Sequence, residues 1–494
     1  MWRRAFSLDL RSLALFRIAL GTVLLFTLIA LLPDIDAFYT DRGILPRDAL
    51  INEFGNPWAI SVHLMSGQWS VQLGLILIAI IFAAGLISGY RTRLCTVVSW
   101  FLLSSLQVRN PVILQSGDTL LRLLLFWSIF VPLNGRCSLD QALNSSTPRP
   151  EAAHMSWGSQ ALMLQLCFVY WFTAALKWHP VWIGEGSAVY YALSLDIFVT
   201  PFGRFLLRFP EPLRLITFGT VLLEFFGPFL VFSPVRQGLS RLLVVLMFIC
   251  FHAGLGLSMH LGNFPWACAA GWLMFLPAEF WERAGRWGGE RIHRWQATHR
   301  LRSSKFLRWA TPPPPRYRVG AVSHAVVFSG ALLVLAWNLS TLPWMDIRIP
   351  VTWRRIAALT NLRQRWAMFA PFPSTDDGWY DMEGITINGA RVDLWRGAGE
   401  PNDARPADVA GTYRKTSWRK YLVNIWYDDF TGHRPYFGRY LCRTWNEEHA
   451  GAERVTLIYV NYVLEVTPPP GQPLPTPEKR EIWRQHCLDH PAAQ

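Results

Sequence analysis

The sequence predicts a polytopic α-helical membrane domain of about nine transmembrane helices, followed by a small β-rich extracytoplasmic domain. Three observations predict it. Of 494 residues, 51% are hydrophobic and only 16% charged, whereas soluble domains carry about a quarter charged residues. Several apolar runs approach the ~20 residues that cross a bilayer. After Trp337 the uncharged runs give way to alternating polarity, the pattern of half-buried strands. The division falls at a membrane domain over 1–340 and a β-rich domain with a proline-rich tail over 341–494.

The nine spans fall near 13–32, 71–89, 94–108, 120–133, 157–177, 213–232, 242–259, 264–281 and 319–337. The third and fourth are short for a perpendicular crossing and would have to tilt, extend through polar ends or re-enter. The basic segment 1–11 leads into the first span with no small-residue cleavage site after it, which reads as a retained helix rather than a signal peptide. Arg3, Arg4 and Arg11, then Arg91 and Arg93, then ten basic residues between Arg283 and Arg318 all fall on one side of a nine-span chain. The positive-inside rule makes that side cytoplasmic. The acidic loop 33–68, Lys177 and the whole tail fall outside. A bacterial cell membrane with a cytoplasmic N-terminus is the expected location.

The net charge of +13 is concentrated in one loop between apolar segments, so topology accounts for it and no nucleic-acid partner is expected. The lipid bilayer is the partner. Seven cysteines show no CxxC spacing, and Cys95, Cys167, Cys250 and Cys268 lie in or beside apolar runs. That pattern argues against a zinc site or a disulfide framework, and no metal is expected. Cys442 and Cys487 lie in the tail, where an oxidising compartment would let them pair.

Within the tail, Asp376-Asp377-Gly378-Trp379-Tyr380 opens a strand-like stretch, and Asn388-Gly389 marks a hairpin with a primed turn. Residues 421–426 and 455–466 read as further strands, and 414–421 as a short helix.

The stretch Tyr170-Trp171-Phe172-Thr173-Ala174-Ala175-Leu176-Lys177-Trp178-His179-Pro180-Val181-Trp182 carries the sharpest functional question. Lys177 is either an anchor whose ammonium snorkels to the headgroups or a bundle-facing amine, desolvated and usable as a base. Other intramembrane ionisable groups are functional candidates by their cost. Asp118 and Arg122 are spaced for an i,i+4 ion pair. Glu224 sits mid-span and must be protonated or matched by a cation from another helix. His252 and His260 share a face with Gly254 and Gly256 between them. These residues suggest a polar chamber open to the outside. Arg17 lies in the inner half of the first span and reads as a headgroup contact.

Two segments carry a family resemblance. Leu10-Arg11-Ser12-Leu13-Ala14-Leu15-Phe16-Arg17-Ile18-Ala19-Leu20-Gly21 and Tyr39-Thr40-Asp41-Arg42-Gly43-Ile44-Leu45-Pro46-Arg47 resemble the opening of the HTTM family, bacterial relatives of the vitamin K-dependent γ-glutamyl carboxylase. Trp366-Ala367-Met368-Phe369-Ala370-Pro371 and Asp377-Gly378-Trp379 are similar to that family's entry into the post-membrane domain. The resemblance implies that Lys177 is the base acting on reduced vitamin K or menaquinol, with oxygen and carbon dioxide as co-substrates. It implies that His252 supports the chemistry and that Asn110, Tyr170 and Trp182 contact the cofactor. The acceptor would be a glutamate or similar carbon acid, on an exported peptide or protein. The family's Asn-His pair reads Arg109-Asn110-Pro111 here, so the histidine is missing. Two other functions stand beside this one: a non-catalytic protein that binds partners through its outer domain, and a transporter for which Glu224 would be the pointer.

Overall fold

The computed structural model describes residues 5–144, 152–285, 320–397 and 400–487. Most of the basic loop before the last span, with its Pro312 to Pro315 run, and Arg3 and Arg4 lie outside the described residues.

Among the described residues, six helices are long and apolar enough to cross a membrane. They are α1 (Leu10–Leu31), α2 (Trp69–Ser88), α5 (Trp157–Leu176), α6 (Pro210–Leu230), α7 (Gln237–Ser258) and α9 (Ala321–Leu339). Hydrocarbon offers the backbone no partner, so each apolar run bonds to itself as a helix. The other three expected spans are helices of a different kind: α3 (Thr92–Arg109), α4 (Ser116–Ser128) and α8 (Phe264–Trp272). They are shorter or more polar than a crossing helix needs. The reason is burial. Leu120, Leu121, Leu123, Leu124 and Leu125 are fully enclosed, so the leucine-rich part of α4 is buried on every side within the bundle. A two-residue ribbon, β1 (Leu8–Asp9) with β2 (Ala153–His154), ties the start of α1 to the segment before α5.

Buried arginines hold the helix ends together. Arg17 corrects the expectation of a headgroup contact, because it is wholly enclosed and donates to the carbonyls of Leu133 (2.9 Å), Cys137 (2.7 Å) and Ile87 (3.3 Å). Gly89 ends α2 with φ +69, and a Cβ there would stand 2.6 Å from the Arg17 guanidinium, so only glycine fits. At the opposite ends of α1 and α3, Arg109 donates to Leu45 (2.8 Å) and Thr40 (3.0 Å). Asp41 receives Arg47 at 2.7 Å in the same loop. The Tyr39-to-Arg47 motif is therefore a clamped loop.

Beyond the membrane domain lie the amphipathic α10 (Val351–Leu359) and a four-stranded antiparallel sheet of order β4-β3-β5-β6. Its strands are β3 (Asp376–Thr386), β4 (Arg391–Asp393), β5 (Val455–Val466) and β6 (Glu478–His486). Two helices pack on it, α11 (Thr416–Trp426) and α12 (Arg434–Glu448). Residues 421–426 are thus helix, not strand. Trp418, Tyr421, Leu422 and Ile425 are all buried, and their spacing has the 3.6-residue period that overrides strand propensity. The prolines after Val466 connect β5 to β6 rather than opening a tail. The hairpin forms with Gly389 at φ +81, but Asn388 keeps a negative φ, so the turn is not of the type with two left-handed residues. Gly378 is also required, since a Cβ there would lie 2.0 Å from the Val463 carbonyl.

The sheet domain sits against the membrane domain. Lys415 reaches Asp34 at 2.9 Å, and Asn424 donates to the Val112 carbonyl at 2.6 Å. Cys442 and Cys487 form a disulfide.

Candidate functional site

Lys177 does not snorkel. It is the C-cap of α5, with its backbone N–H on Thr173 and Ala174, and Pro180 two residues beyond the following Trp178 prevents the helix continuing. The side chain turns into the bundle and is 3% exposed. Its Nζ donates to both carboxylate oxygens of Glu224 on α6, each at 2.8 Å, and Glu224 is 5% exposed. The ammonium also lies 4.2 Å from the ring centre of Trp182, a cation–π contact that is strengthened where both groups are buried.

Trp182 is carried by a one-turn helix, Pro180–Ile183, capped by His179. Its indole N–H donates to the Phe369 carbonyl at 3.0 Å. The Trp366-to-Pro371 motif therefore reaches back over the site. Thr173 on α5 donates to the Trp366 carbonyl at 3.1 Å, and Trp366 is fully buried with its indole on Gln364.

A family model, the HTTM domain, matches residues 7–281. The chain belongs to the HTTM family. No curated protein and no solved structure matches it. The matched interval holds α1 through α8, so Lys177 and Glu224 both lie inside the HTTM domain, while the strap from Gln364 to Pro371 comes from outside it.

Among the other candidate residues of the HTTM domain, Tyr170 and His252 meet. The Tyr170 hydroxyl is 2.7 Å from His252 Nε2 and accepts from the Trp272 indole at 2.7 Å. Tyr170 and Lys177 are seven residues apart on α5, so both look to the same side of that helix. His252 Nδ1 is buried with no hydrogen-bond partner. Asn110 stands elsewhere: its amide donates to Phe38 at 2.9 Å and its oxygen accepts from Val112 at 3.2 Å, which commits the side chain to main chain.

The expected single polar chamber resolves into separate clusters. Asp118 and Arg122 form no ion pair. Asp118 caps α4 on the Gln115 N–H (3.0 Å) and accepts from Asn263 (2.8 Å), while Arg122 bonds to Gln107 and to the Arg363 carbonyl (2.9 Å). His260 is exposed and engages only through its backbone, to Phe198 and Arg419. Glu224 as the partner of Lys177 escaped pairing by sequence, because the two lie 47 residues apart on different helices and nothing linear links them.

Two cavities lie elsewhere in the molecule. One of about 540 Å³ lies under the sheet domain, walled by Val23, Leu31 and Leu106 and ending in Tyr39, Asp118 and Thr416. Lys177 and Glu224 do not line it. The other, about 720 Å³, lies at the seam between domains beside Asp196, Arg204, Arg405 and Glu465. There Arg405 bridges Asp196 and Glu465, and Asp377 accepts the Asp196 N–H at 2.5 Å. Burial pushes the Asp377 carboxyl up to about 7.

Proposed function

We propose that this HTTM protein is a membrane enzyme in which Lys177 serves as a base toward a weakly acidic hydroxyl of a lipid-soluble quinol. One observation carries the reading. A lysine at a helix end, where snorkelling would cost least, instead lies buried against a carboxylate and an indole. A proton can pass between an amine and a carboxyl in contact without changing the net charge of the site, which is what acid–base chemistry in an apolar interior needs.

The donor set fits such a group: an amine, an aromatic face and water-excluding walls stand together. Reduced vitamin K or menaquinol, when bound, supplies the acidic hydroxyl and, with oxygen, the oxidising chemistry. Lys177 Nζ accepts the proton. Trp182 holds the resulting ammonium, and the Phe369 carbonyl orients Trp182. Tyr170, on the same face of α5 as Lys177, forms a buried hydrogen-bonded pair with His252. Removal of a proton from a glutamate or similar carbon acid, followed by carbon dioxide capture, is the coupled step implied by the resemblance. Asn110 acts here by holding the α3–α4 connection to the Phe38 carbonyl. The pairing of Glu224 with Lys177 gives that carboxylate a partner and supports the base reading over the transporter.

The same reading keeps the N-terminus cytoplasmic and the sheet domain outside, which requires an odd number of crossings and so a contribution from α3, α4 or α8 beyond the six long helices. The Cys442–Cys487 disulfide supports an oxidising compartment for that domain. The cavity at the domain seam favours a second reading, in which the outer domain binds an exported peptide without catalysis.

The test is turnover. Purified protein in nanodiscs is given reduced vitamin K or menaquinol with oxygen, and epoxide is measured for wild type and Lys177→Ala. Epoxide that depends on Lys177 supports the enzyme. No epoxide from folded wild-type protein with either quinol rejects it in favour of the binding protein.

A further inference from the structure

Lys177 as it stands is not a base. An ammonium has three donors and no acceptor, and this one spends its donors on both oxygens of Glu224 while its charge faces Trp182. The amine gains a lone pair only if its resting proton leaves, and that proton needs an acceptor inside the site. Lys177 is buried, and neither Tyr170, bonded to His252 and Trp272, nor His252 makes a hydrogen bond to Nζ. Glu224, 2.8 Å away through either oxygen, is the acceptor in contact.

Resting on the reading of Lys177 as a base, we propose that Lys177 and Glu224 act as a single one-proton unit. Glu224 stores the proton while the substrate's oxygen takes its place as the counter-ion of Lys177. The balance runs in two moves. A proton passes from Nζ to a Glu224 oxygen, leaving a neutral amine beside a neutral acid. Nζ then takes the proton of the bound hydroxyl, whose oxygen keeps the electron pair and becomes the anion facing the new ammonium. The O–H bond of the substrate breaks, an N–H bond forms, and Glu224 remains a neutral acid. The site is uncharged overall before, between and after the two moves. This neutrality is the physical advantage, because an uncompensated charge in an apolar interior is strongly destabilising. A carboxylate that stayed ionised would instead confront the new anion across the same amine.

Glu224 is thus assigned as a positioning and proton-storing residue, and its signature is spectroscopic. The full-length protein in nanodiscs is mixed with menaquinol under argon, so that no turnover occurs. Infrared difference spectra are recorded alongside the amount of menaquinol retained. The expected result is a new carboxylic-acid C=O stretch on menaquinol binding, lost in Glu224→Gln and shifted in frequency in Glu224→Asp. Should Glu224→Gln fail to fold, the shift in Glu224→Asp assigns the band. Menaquinol retained by wild type with no such band overturns the one-proton unit and leaves Lys177 as a base with a static counter-ion. No menaquinol retained at all overturns the base reading and this inference with it.

Discussion

Arg17 and Lys177 are both cations buried in the helix bundle, and they are satisfied in different ways. Arg17 hands its N–H groups to the carbonyls of Leu133, Cys137 and Ile87. Lys177 rests on a carboxylate and an indole. A carbonyl cannot take a proton near neutrality, and a guanidinium does not give one up. Arg17 is therefore a permanent staple. A lysine on a glutamate can shift its proton without changing the charge of the site. The difference separates structure from chemistry within one bundle.

The largest effect should come from breaking the staple. Arg17→Ala leaves several buried carbonyls unpaired and a void beside Gly89, at a cost of about 3 to 5 kcal/mol. Thermal unfolding in nanodiscs measures it. No single second substitution should rescue it, because its partners are main chain. A rescue would remove the contrast.

Lys177→Ala strands Glu224 and should cost about 3 kcal/mol, less if Glu224 takes up a proton. Here rescue is expected. Lys177→Met combined with Glu224→Leu should return the unfolding temperature close to wild type, since well-packed apolar pairs replace buried ion pairs without loss. A double variant as unstable as the single would mean that the pair is itself a staple.

Asp377 is a control outside the membrane, a buried carboxyl without a close cation. Its pKa is raised from 3.8 to about 7. Its contribution to stability is therefore fully present below about pH 4 and is lost as pH rises toward 7, by a few kcal/mol at most. Urea unfolding of Asp377→Asn should show a flatter pH dependence than wild type across that window. An unchanged slope would assign the dependence to other groups at the seam.

Trp182→Phe should have the smallest effect. It keeps a ring over Lys177 but drops the bond to the Phe369 carbonyl, costing about 1 kcal/mol. Activity should fall more than stability if that bond positions the ring against Lys177, and equal falls would make it mere packing.

Much of this contrast was hidden in the sequence. The apolar runs announced the helices, and the strand expected over Val455–Val466 has the bounds of β5, though its burial is nearly continuous rather than alternating because β3 and β6 pair with both its edges and helices pack on it. The sheet's last strand went unseen because Glu478–His486 is edge-like and charged, with no apolar face to report. The helix α11 was half missed because Tyr421, Val423 and Ile425 are also good strand formers. At the site, a lysine at a helix end looks the same whether it turns inward or outward. The burial of Arg17 is not legible in the sequence, because its carbonyl partners are main-chain atoms that leave no trace in residue identities. Asp118 and Arg122 had the right spacing for a pair, yet Gln115, Asn263 and Gln107 offered each a better-placed partner.

The central claim is that Lys177 and Glu224 perform chemistry rather than hold helices together, and one measurement tests it most directly. The Lys177→Met, Glu224→Leu variant and wild type are matched for unfolding temperature and given reduced vitamin K or menaquinol with oxygen. The account predicts epoxide from wild type and none above background from the equally stable variant. Epoxide from both at similar rates, or from neither, would contradict it.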